Sequence, residues 1–235
     1  MGTVRITAGQ EEIPGYLAVP SADVAGPGPW PGVVVVHDVF GLGDDVRAIA
    51  GRFATAGYLA LVPDLYSRGG AVRCVRTVMR ELRDGRGQSL VDIDAAHQSL
   101  LERDDCTGKV GVAGFCMGGG FAILGASRGF DASAPYYGQV PQDTSFLDGA
   151  CPVVASFGAK DKPLRGSAER LERALTEHGV AHDVKEYPDA AHGFANRHRL
   201  GPFNVLGQVV GVGYHHESSE DAWTRVLGFF GEHLR

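Results

Sequence analysis

Residues 109–124 constrain the fold more than any other stretch of the sequence. A short apolar run opens the stretch and a second closes it, which is the pattern of a buried strand followed by a helix. Between them, Gly114 and Gly118 flank Cys116 in the G-x-C-x-G spacing of a nucleophile elbow. Glycine suits both flanks because the turn strains its central residue and brings strand and helix close together. We therefore predict a strand, a sharp turn that carries Cys116, and a helix.

An elbow would make Cys116 a nucleophile in two ways. It would lift the sulfur clear of the sheet, and it would direct the backbone N–H of Met117 toward a developing oxyanion. The alternative is an ordinary buried thiol, since cysteine is among the most often buried residues. In that case the glycines at 118–120 only allow the helix to pack closely on the sheet. The strand-to-helix context favours the catalytic interpretation.

The composition points to a globular protein that binds a small molecule. Of the 235 residues, 44% are hydrophobic, which is enough to build a substantial core. The net charge is −6 and the Lys and Arg residues are scattered, which argues against nucleic acid or an anionic membrane as the partner. No apolar signal core opens the chain and the longest apolar runs are strand-sized, so we expect a cytoplasmic protein without a membrane span. The sequence assigns no oligomeric state.

Neither the cysteines nor the histidines are spaced like metal ligands. The four cysteines, at positions 74, 106, 116 and 151, form no C-x-x-C pair and are expected to be free thiols. His215 and His216 lack a third ligand at a zinc-like spacing, and His192 and His198 do not form an i, i+4 pair. The glycine-rich stretch also lacks both G-x-G-x-x-G and a P-loop lysine. We therefore predict no metal and no nucleotide cofactor.

Strand-like and helix-like segments alternate along the whole chain. Residues 4–8 and 13–19 predict an N-terminal hairpin at an antiparallel edge, and the β-branched run 32–36 predicts a central strand buried on both faces. Further strands are expected at 58–62, 110–113, 130–137, 151–158 and 183–187, and helices at 44–57, 71–83, 91–101, 164–178 and 218–234. This alternation predicts the α/β class, with a mostly parallel sheet covered by helices on both faces. No repeat or linker interrupts it, so we expect one domain over residues 1–235.

Three reactive residue types follow three predicted strands. A thiol needs a base to become a strong nucleophile, and the base needs an acceptor to orient it. Cys116 follows one strand, Asp161 the penultimate one and His192 the last, at the edge where parallel strands end. The order nucleophile, acid, base is that of the α/β-hydrolases. We therefore predict that these three residues form a catalytic triad.

Other residues could take the positions of acid and base. Asp143 or Asp148, after the preceding strand, could orient the base instead, and Asp161 could simply cap the helix that follows it. His37, at the end of the central strand, is the weaker alternative for the base. Asp64 lies within a Pro-Asp-Leu-Tyr segment after a strand, and we interpret it as a turn residue.

Five motifs resemble the dienelactone hydrolase family of α/β-hydrolases, and the likeness extends nearly end to end. They occupy residues 37–42, 63–68, 114–119, 158–161 and 191–194. The resemblance implies an α/β-hydrolase fold and the triad Cys116, Asp161 and His192. It also implies that the backbone N–H groups of Val39 and Met117 form the oxyanion hole.

The sequence departs from this family near the nucleophile. Members of the family carry a glutamate where Asp38 stands. That glutamate takes the proton of the resting thiol when substrate displaces it from an arginine. The arginine lies four residues after the catalytic histidine, where this chain has Asn196. Arg197 and Arg199 are possible substitutes for it.

The stretch between residues 66 and 88 is compact, although family members carry a substrate-contacting arginine there. Arg73 and Arg76, in a basic amphipathic segment, are the candidates to bind a substrate carboxylate. The sequence as a whole predicts a hydrolase of small carboxylic esters or lactones that acts through a thioester acyl-enzyme, without metal or organic cofactor. The alternatives are a small-molecule binding protein that kept the fold but lost turnover, and a redox sensor, for which Cys116 lacks a neighbouring resolving cysteine.

Overall fold

The computed structural model describes residues 1–198 and 213–235, and its strands form one eight-stranded sheet. The strands are Gly2–Ala8 (β1), Glu11–Ala18 (β2), Trp30–Val36 (β3), Leu59–Pro63 (β4), Cys106–Phe115 (β5), Ala132–Tyr136 (β6), Val153–Gly158 (β7) and His182–Tyr187 (β8). In space they follow the order β1-β2-β4-β3-β5-β6-β7-β8. β2 pairs antiparallel with both β1 and β4, whereas every other neighbouring pair is parallel. The predicted parallel sheet with an antiparallel N-terminal edge is confirmed.

Helices cover both faces of the sheet, as predicted. They are Ala22–Ala25 (α1), Asp44–Thr55 (α2), Ala71–Asp84 (α3), Gln88–Leu101 (α4), Met117–Gly125 (α5), Ser167–Glu177 (α6) and His216–His233 (α7). Val33 and Val35 pack with α2 and α7 on one face. Val34 and Val36 pack with α3, α4 and α5 on the other, because successive residues of a strand point to opposite faces. Among the described residues, no helix has the length and apolarity needed to span a bilayer.

The carboxyl ends of the parallel strands position the predicted reactive residues. β5, β7 and β8 run in the same direction, so their last residues lie along one edge of the sheet. Cys116 follows β5 directly, Asp161 lies in the loop after β7, and His192 lies in the loop after β8. The fold therefore brings to one edge three residues that are far apart in the sequence.

The segment after Asp161 begins differently from the prediction. The helix predicted over 164–178 begins at Ser167, after a short 3-10 turn at Lys162–Leu164. Asp161 occupies the N-cap position of that turn, but its side chain makes no capping hydrogen bond. The interpretation of Asp161 as a helix cap is therefore wrong, and its carboxylate is available to another partner.

Candidate active site

Cys116 lies in the sharp turn between β5 and α5. Its backbone has φ 57° and ψ −115°, which is strained for a residue with a Cβ and costs roughly 1–3 kcal/mol. A Cβ on Gly114 would lie 1.9 Å from the carbonyl oxygen of Gly118, and one on Gly118 would lie 2.2 Å from that of Val36. Glycine is therefore required at both flanks, because backbone packs directly on backbone. This packing holds the strained turn, and Cys116 lines the cleft at the sheet edge.

The first turn of α5 supplies a backbone donor next to the sulfur. The first N–H groups of a helix have no intrahelical acceptor, and the dipole makes this end of the helix electropositive. In α5 the hydrogen bond from the N–H of Gly120 to the carbonyl of Cys116 spans 3.2 Å and closes the first turn. Met117 precedes Gly120 in that turn, so its N–H is one of the groups left for an external acceptor.

His192 and Asp161 form a close pair beside Cys116. Nδ1 of His192 lies 2.6 Å from Oδ2 of Asp161. The carboxylate is 1% exposed and the imidazole 27% exposed. Because a carboxylate only accepts, Nδ1 carries the hydrogen and Nε2 remains for another partner. Cys116 lies close enough to this imidazole to raise its pKa, and both side chains line the same cleft.

Burial and charge have opposite effects on the proton affinity of His192. Burial lowers the pKa of the imidazole because it disfavours the charged ring. The hydrogen bond and charge of Asp161, together with the interaction with Cys116, outweigh burial and raise the pKa to about 10. The site therefore favours the protonated form of His192.

The alternatives for acid and base do not share this arrangement. The carboxylate on His192 belongs to Asp161, whereas Asp143 accepts a 3.0 Å hydrogen bond from the N–H of Ser145. His37 is fully buried, and its Nδ1 lies 2.7 Å from the carbonyl oxygen of Asp38. The interpretation of Asp64 as a turn residue is confirmed, because its Oδ1 accepts the N–H two residues later at 2.9 Å.

A cleft of about 560 Å³ opens over the cysteine. Its walls are largely apolar and come from Met79, Leu82, Met117, Tyr137, Pro163 and Leu164, with Gln139 among them. Two lysines, Lys160 and Lys162, lie in the lining together with Cys116, Asp161 and His192. A cavity of this size is large enough for a small organic molecule.

Arg73 and Arg76 lie elsewhere on α3. Both side chains are exposed, and neither is among the described residues that line the cleft. Met79 and Leu82, on a different face of the same helix, reach the cleft instead. Among the described residues that line the cleft with Cys116, the lysine and arginine side chains are those of Lys160 and Lys162, which sequence reasoning missed because they follow β7 in an irregular loop.

A family model matches almost the whole chain. The model described as "Dienelactone hydrolase family" covers residues 13–234. The chain belongs to the dienelactone hydrolase family. It is therefore a hydrolase of the dienelactone hydrolase type, with the α/β-hydrolase fold.

Individual relatives resemble this family member along its full length. A Yersinia pestis protein named as a carboxymethylenebutenolidase is 31% identical over 253 residues, which span 99% of this chain and 88% of that protein. A Klebsiella pneumoniae structure described as a dienelactone hydrolase has a TM-score of 0.79 at 28% identity, covering 98% of this chain and 97% of that one. A dienelactone hydrolase-like promiscuous phosphotriesterase from metagenomic libraries shares the fold, with a TM-score of 0.83 at 24% identity, covering 99% of this chain and 98% of that one.

Among the described residues, the ion-pair partner of Asp38 is a histidine, whereas the family resemblance implies an arginine. Its Oδ1 accepts the N–H of Phe40 at 2.9 Å, and its Oδ2 lies 2.6 Å from Nε2 of His198. Burial lowers the pKa of His198, but the hydrogen bond and charge of Asp38 and the charge of Asp45 raise it above its ordinary value. Asp38 therefore has a histidine partner, which sequence reasoning missed because it considered His198 only as a metal ligand.

Arg197 does not take the place of the family arginine. Its guanidinium donates to the hydroxyl of Tyr214 and lies over that ring, with Cζ 4.3 Å from the centroid. The Arg197 side chain is 62% exposed and lies 3.8 Å from the carboxylate of Glu220 in α7. The expectation that Arg197 substitutes for the arginine is therefore corrected in favour of His198. Arg199, the other candidate, lies outside the described residues.

Asn196 is buried and structural. It accepts from the hydroxyl of Tyr137 at 2.5 Å and donates to Oδ2 of Asp45 at 2.5 Å.

Asp38, Asp45 and His198 each offer one potential metal-ligand atom within 4.8 Å of the others. Each of these three side chains also has a hydrogen-bond partner within the protein, so hydrogen bonding accounts for the cluster.

Proposed function

We propose that this chain hydrolyses small carboxylic esters or lactones with Cys116 as the nucleophile and a thioester acyl-enzyme as the intermediate. The observation that carries the proposal is the 2.6 Å pair between His192 and Asp161 beside a cysteine at a strained elbow. Nucleophile, base and orienting acid are the parts that covalent hydrolysis requires. Relatives named as carboxymethylenebutenolidases support a lactone as substrate.

Acylation uses the sulfur and the protonated imidazole. His192 takes the thiol proton as the Cys116 sulfur attacks the carbonyl carbon, forming an S–C bond while the π electron pair moves to oxygen. The oxyanion then collapses, the bond to the leaving oxygen breaks, and His192 gives its proton to that oxygen. For a lactone the leaving alcohol stays attached to the acyl group, so ring opening yields one linear acyl-enzyme.

Deacylation reverses these proton transfers with water as the nucleophile. His192 accepts a proton from water as the water oxygen bonds to the thioester carbon. Collapse of the second oxyanion breaks the S–C bond, restores the sulfur and releases the carboxylic acid. Asp161 holds the imidazole in the tautomer that keeps Nε2 directed toward the reacting atoms in both stages.

The backbone N–H groups of Val39 and Met117 stabilise both oxyanions in this proposal. Met117 opens α5, and Val39 lies in the loop after β3. That loop is close to the elbow, because a Cβ on Gly118 would meet the carbonyl oxygens of Val36 and His37 at 2.2 and 2.7 Å. An oxyanion-hole donor contributes about 3 kcal/mol to the transition state of acyl transfer.

The lysines in the cleft favour a substrate that carries a negative charge. Lys160 forms an ion pair with Asp189 at 3.1 Å, whereas none of the described carboxylates forms an ion pair with Lys162. Lys162 is exposed at the cleft that also contains Cys116. We therefore propose a lactone or ester with a carboxylate at the end remote from the reacting carbonyl, held near Lys162.

Lys162→Ala should raise KM about fivefold for a carboxylated dienelactone, because an exposed ion pair contributes about 1 kcal/mol to binding. The variant should leave KM for neutral p-nitrophenyl acetate unchanged. Steady-state kinetics on both substrates measure the difference, with Arg76→Ala as the matched control for an exposed cation outside the cleft. A larger effect from Arg76→Ala than from Lys162→Ala would move the carboxylate contact to α3.

Intact-protein mass spectrometry tests the proposed function directly. The protein is quenched in acid within seconds of mixing with p-nitrophenyl acetate or an unsaturated lactone, and the adduct is located by peptide mapping. An acyl group on Cys116 that forms and then clears supports the proposal. Stable binding without any adduct would indicate a binding protein, and sulfenic or disulfide products alone would indicate a redox sensor.

A further inference from the structure

The hydroxyl of Tyr66 lies between the two segments that supply the proposed oxyanion donors. Tyr66 follows β4 and its side chain is buried. Its hydroxyl donates to the carbonyl oxygen of Val39 at 3.2 Å, and the same oxygen lies 3.7 Å from Sδ of Met117. One side chain therefore contacts both residues whose N–H groups would bind the oxyanion.

The Tyr66 ring is itself fixed from several directions. Its backbone N–H donates to Oδ1 of Asp64 at 2.9 Å, and its ring meets the His37 ring edge-on with centroids 4.9 Å apart. A Cβ on Gly41 would lie 3.0 Å from Cδ2 of Tyr66, so the loop after β3 passes closely over the ring. Burial, followed by the negative charge of Asp38, raises the pKa of Tyr66, so the hydroxyl stays a neutral donor.

His37 fixes the adjacent peptide unit. Its Nε2 lies 3.2 Å from the N–H of Leu65, which can only donate, so the hydrogen of the neutral ring is on Nδ1. Nδ1 then donates to the carbonyl oxygen of Asp38 at 2.7 Å. Burial lowers the pKa of His37, which keeps the ring neutral and this pair of hydrogen bonds intact.

Peptide geometry connects these bonds to the oxyanion hole. The carbonyl of Asp38 and the N–H of Val39 belong to one planar trans peptide, so they point in opposite directions. A donor held on the Asp38 carbonyl therefore orients the Val39 N–H, and Tyr66 holds the next peptide through the Val39 carbonyl. The peptide units on both sides of Val39 are each fixed by a buried neutral side chain.

We propose that Tyr66 and His37 are positioning residues that hold the N–H of Val39 in place for the oxyanion. The inference rests on the proposed function, because it assigns Val39 as an oxyanion donor. Neither residue is proposed to touch the substrate. A hydrogen-bond donor contributes most when its direction is set before the charge develops, so loosening the loop should slow the chemical steps and leave substrate binding intact.

Tyr66→Phe removes only the hydroxyl and is the test variant. We expect the acylation rate constant with p-nitrophenyl acetate to fall about tenfold and KM to stay within about twofold, since misplacement of a donor affects the transition state selectively. Inhibition by phenylacetaldehyde should weaken by the same factor, because its thiol adduct places an oxygen in the oxyanion hole. Tyr58→Phe, which removes the hydroxyl of a buried tyrosine outside the cleft, should change neither value.

Alkylation of Cys116 by iodoacetamide separates positioning from general damage. This displacement forms an S–C bond and releases iodide at a saturated carbon, so it needs no oxyanion hole. We expect Tyr66→Phe to be alkylated at the wild-type rate. Wild-type acylation in Tyr66→Phe, or an equal loss of alkylation and acylation, would overturn the inference while the proposed function stood. A wild-type protein that forms no acyl adduct would overturn both.

Discussion

Cys116→Ala is expected to abolish ester and lactone hydrolysis, with kcat lower by about 10⁴-fold or more, because no other group at the elbow can form the acyl-enzyme. The residual rate would come from the oxyanion hole and binding alone. Initial rates with p-nitrophenyl acetate and an unsaturated lactone measure the loss. Intact mass after acid quenching should show no adduct on the variant.

Cys106→Ala is the matched control for this substitution. Cys106 is also partly buried and free, but it begins β5, whereas Cys116 follows the end of the same strand. We expect the control to keep the wild-type rate and the wild-type adduct. Cys116→Ala should also keep its thermal midpoint, since alanine has a Cβ and bears the same φ of 57°. A Cys116→Ala protein that retained more than about a tenth of wild-type turnover would contradict a cysteine nucleophile.

The elbow and the residues that meet there were predictable because local rules determine them. The spacing of Gly114 and Gly118 reflects a steric requirement. A Cβ at either position would lie only 1.9 or 2.2 Å from a backbone carbonyl oxygen. Asp161 and His192 could be placed at the same edge because parallel strands end together, whatever the details of the loops. Strand order and helix phase are therefore enough to gather these three side chains.

Contacts between irregular loops could not be predicted in the same way. The pair between His198 and Asp38 joins the loop after β8 to the loop after β3. Neither loop has a regular period that sets the direction of its side chains. Lys162 was visible only as part of a turn, and its position in the cleft depends on the path of that turn. The hydrogen bond from the hydroxyl of Tyr66 to the carbonyl oxygen of Val39 depends on β4 lying beside β3. The order of the strands in the sequence does not determine that neighbourhood.

Helical periodicity placed the arginines on the correct kind of surface but not at the cleft. The pattern over α3 put Arg73 and Arg76 opposite the apolar positions, and both are exposed. Which flank of α3 faces the cleft depends on how the helix packs on α4 and α5, and Met79 and Leu82 occupy that flank. Amphipathicity distinguishes buried from exposed positions, whereas substrate contact requires knowing where the cleft opens.

Asp161→Asn is expected to lower kcat about 10³-fold, somewhat less than the loss of about 10⁴ in a serine triad, because a thiol ionises more readily than a hydroxyl. The 2.6 Å bond from His192 would lose its charged acceptor, and the amide could also donate to Nδ1 and impose the wrong tautomer. Asp143→Asn, at an exposed carboxylate that accepts from Ser145, should leave kcat unchanged. Equal losses in the two variants would remove Asp161 from the proposed triad.

The pH dependence of Asp161→Asn gives a second and independent measurement. With Asp161 in place the pKa of His192 is raised to about 10, so the alkaline fall of kcat/KM should lie near that pH. The variant loses the first of the raising causes while burial still lowers the pKa, so its alkaline limb should move to lower pH.

Stability should follow the same sign, because folding raises the proton affinity of His192. The stabilisation is complete below the unfolded pKa of 6.5 and is lost as pH rises toward 10. The thermal midpoint of the wild type should therefore fall across this pH interval more than that of Asp161→Asn. Parallel curves of midpoint against pH for the two proteins would contradict a charged His192 held by Asp161.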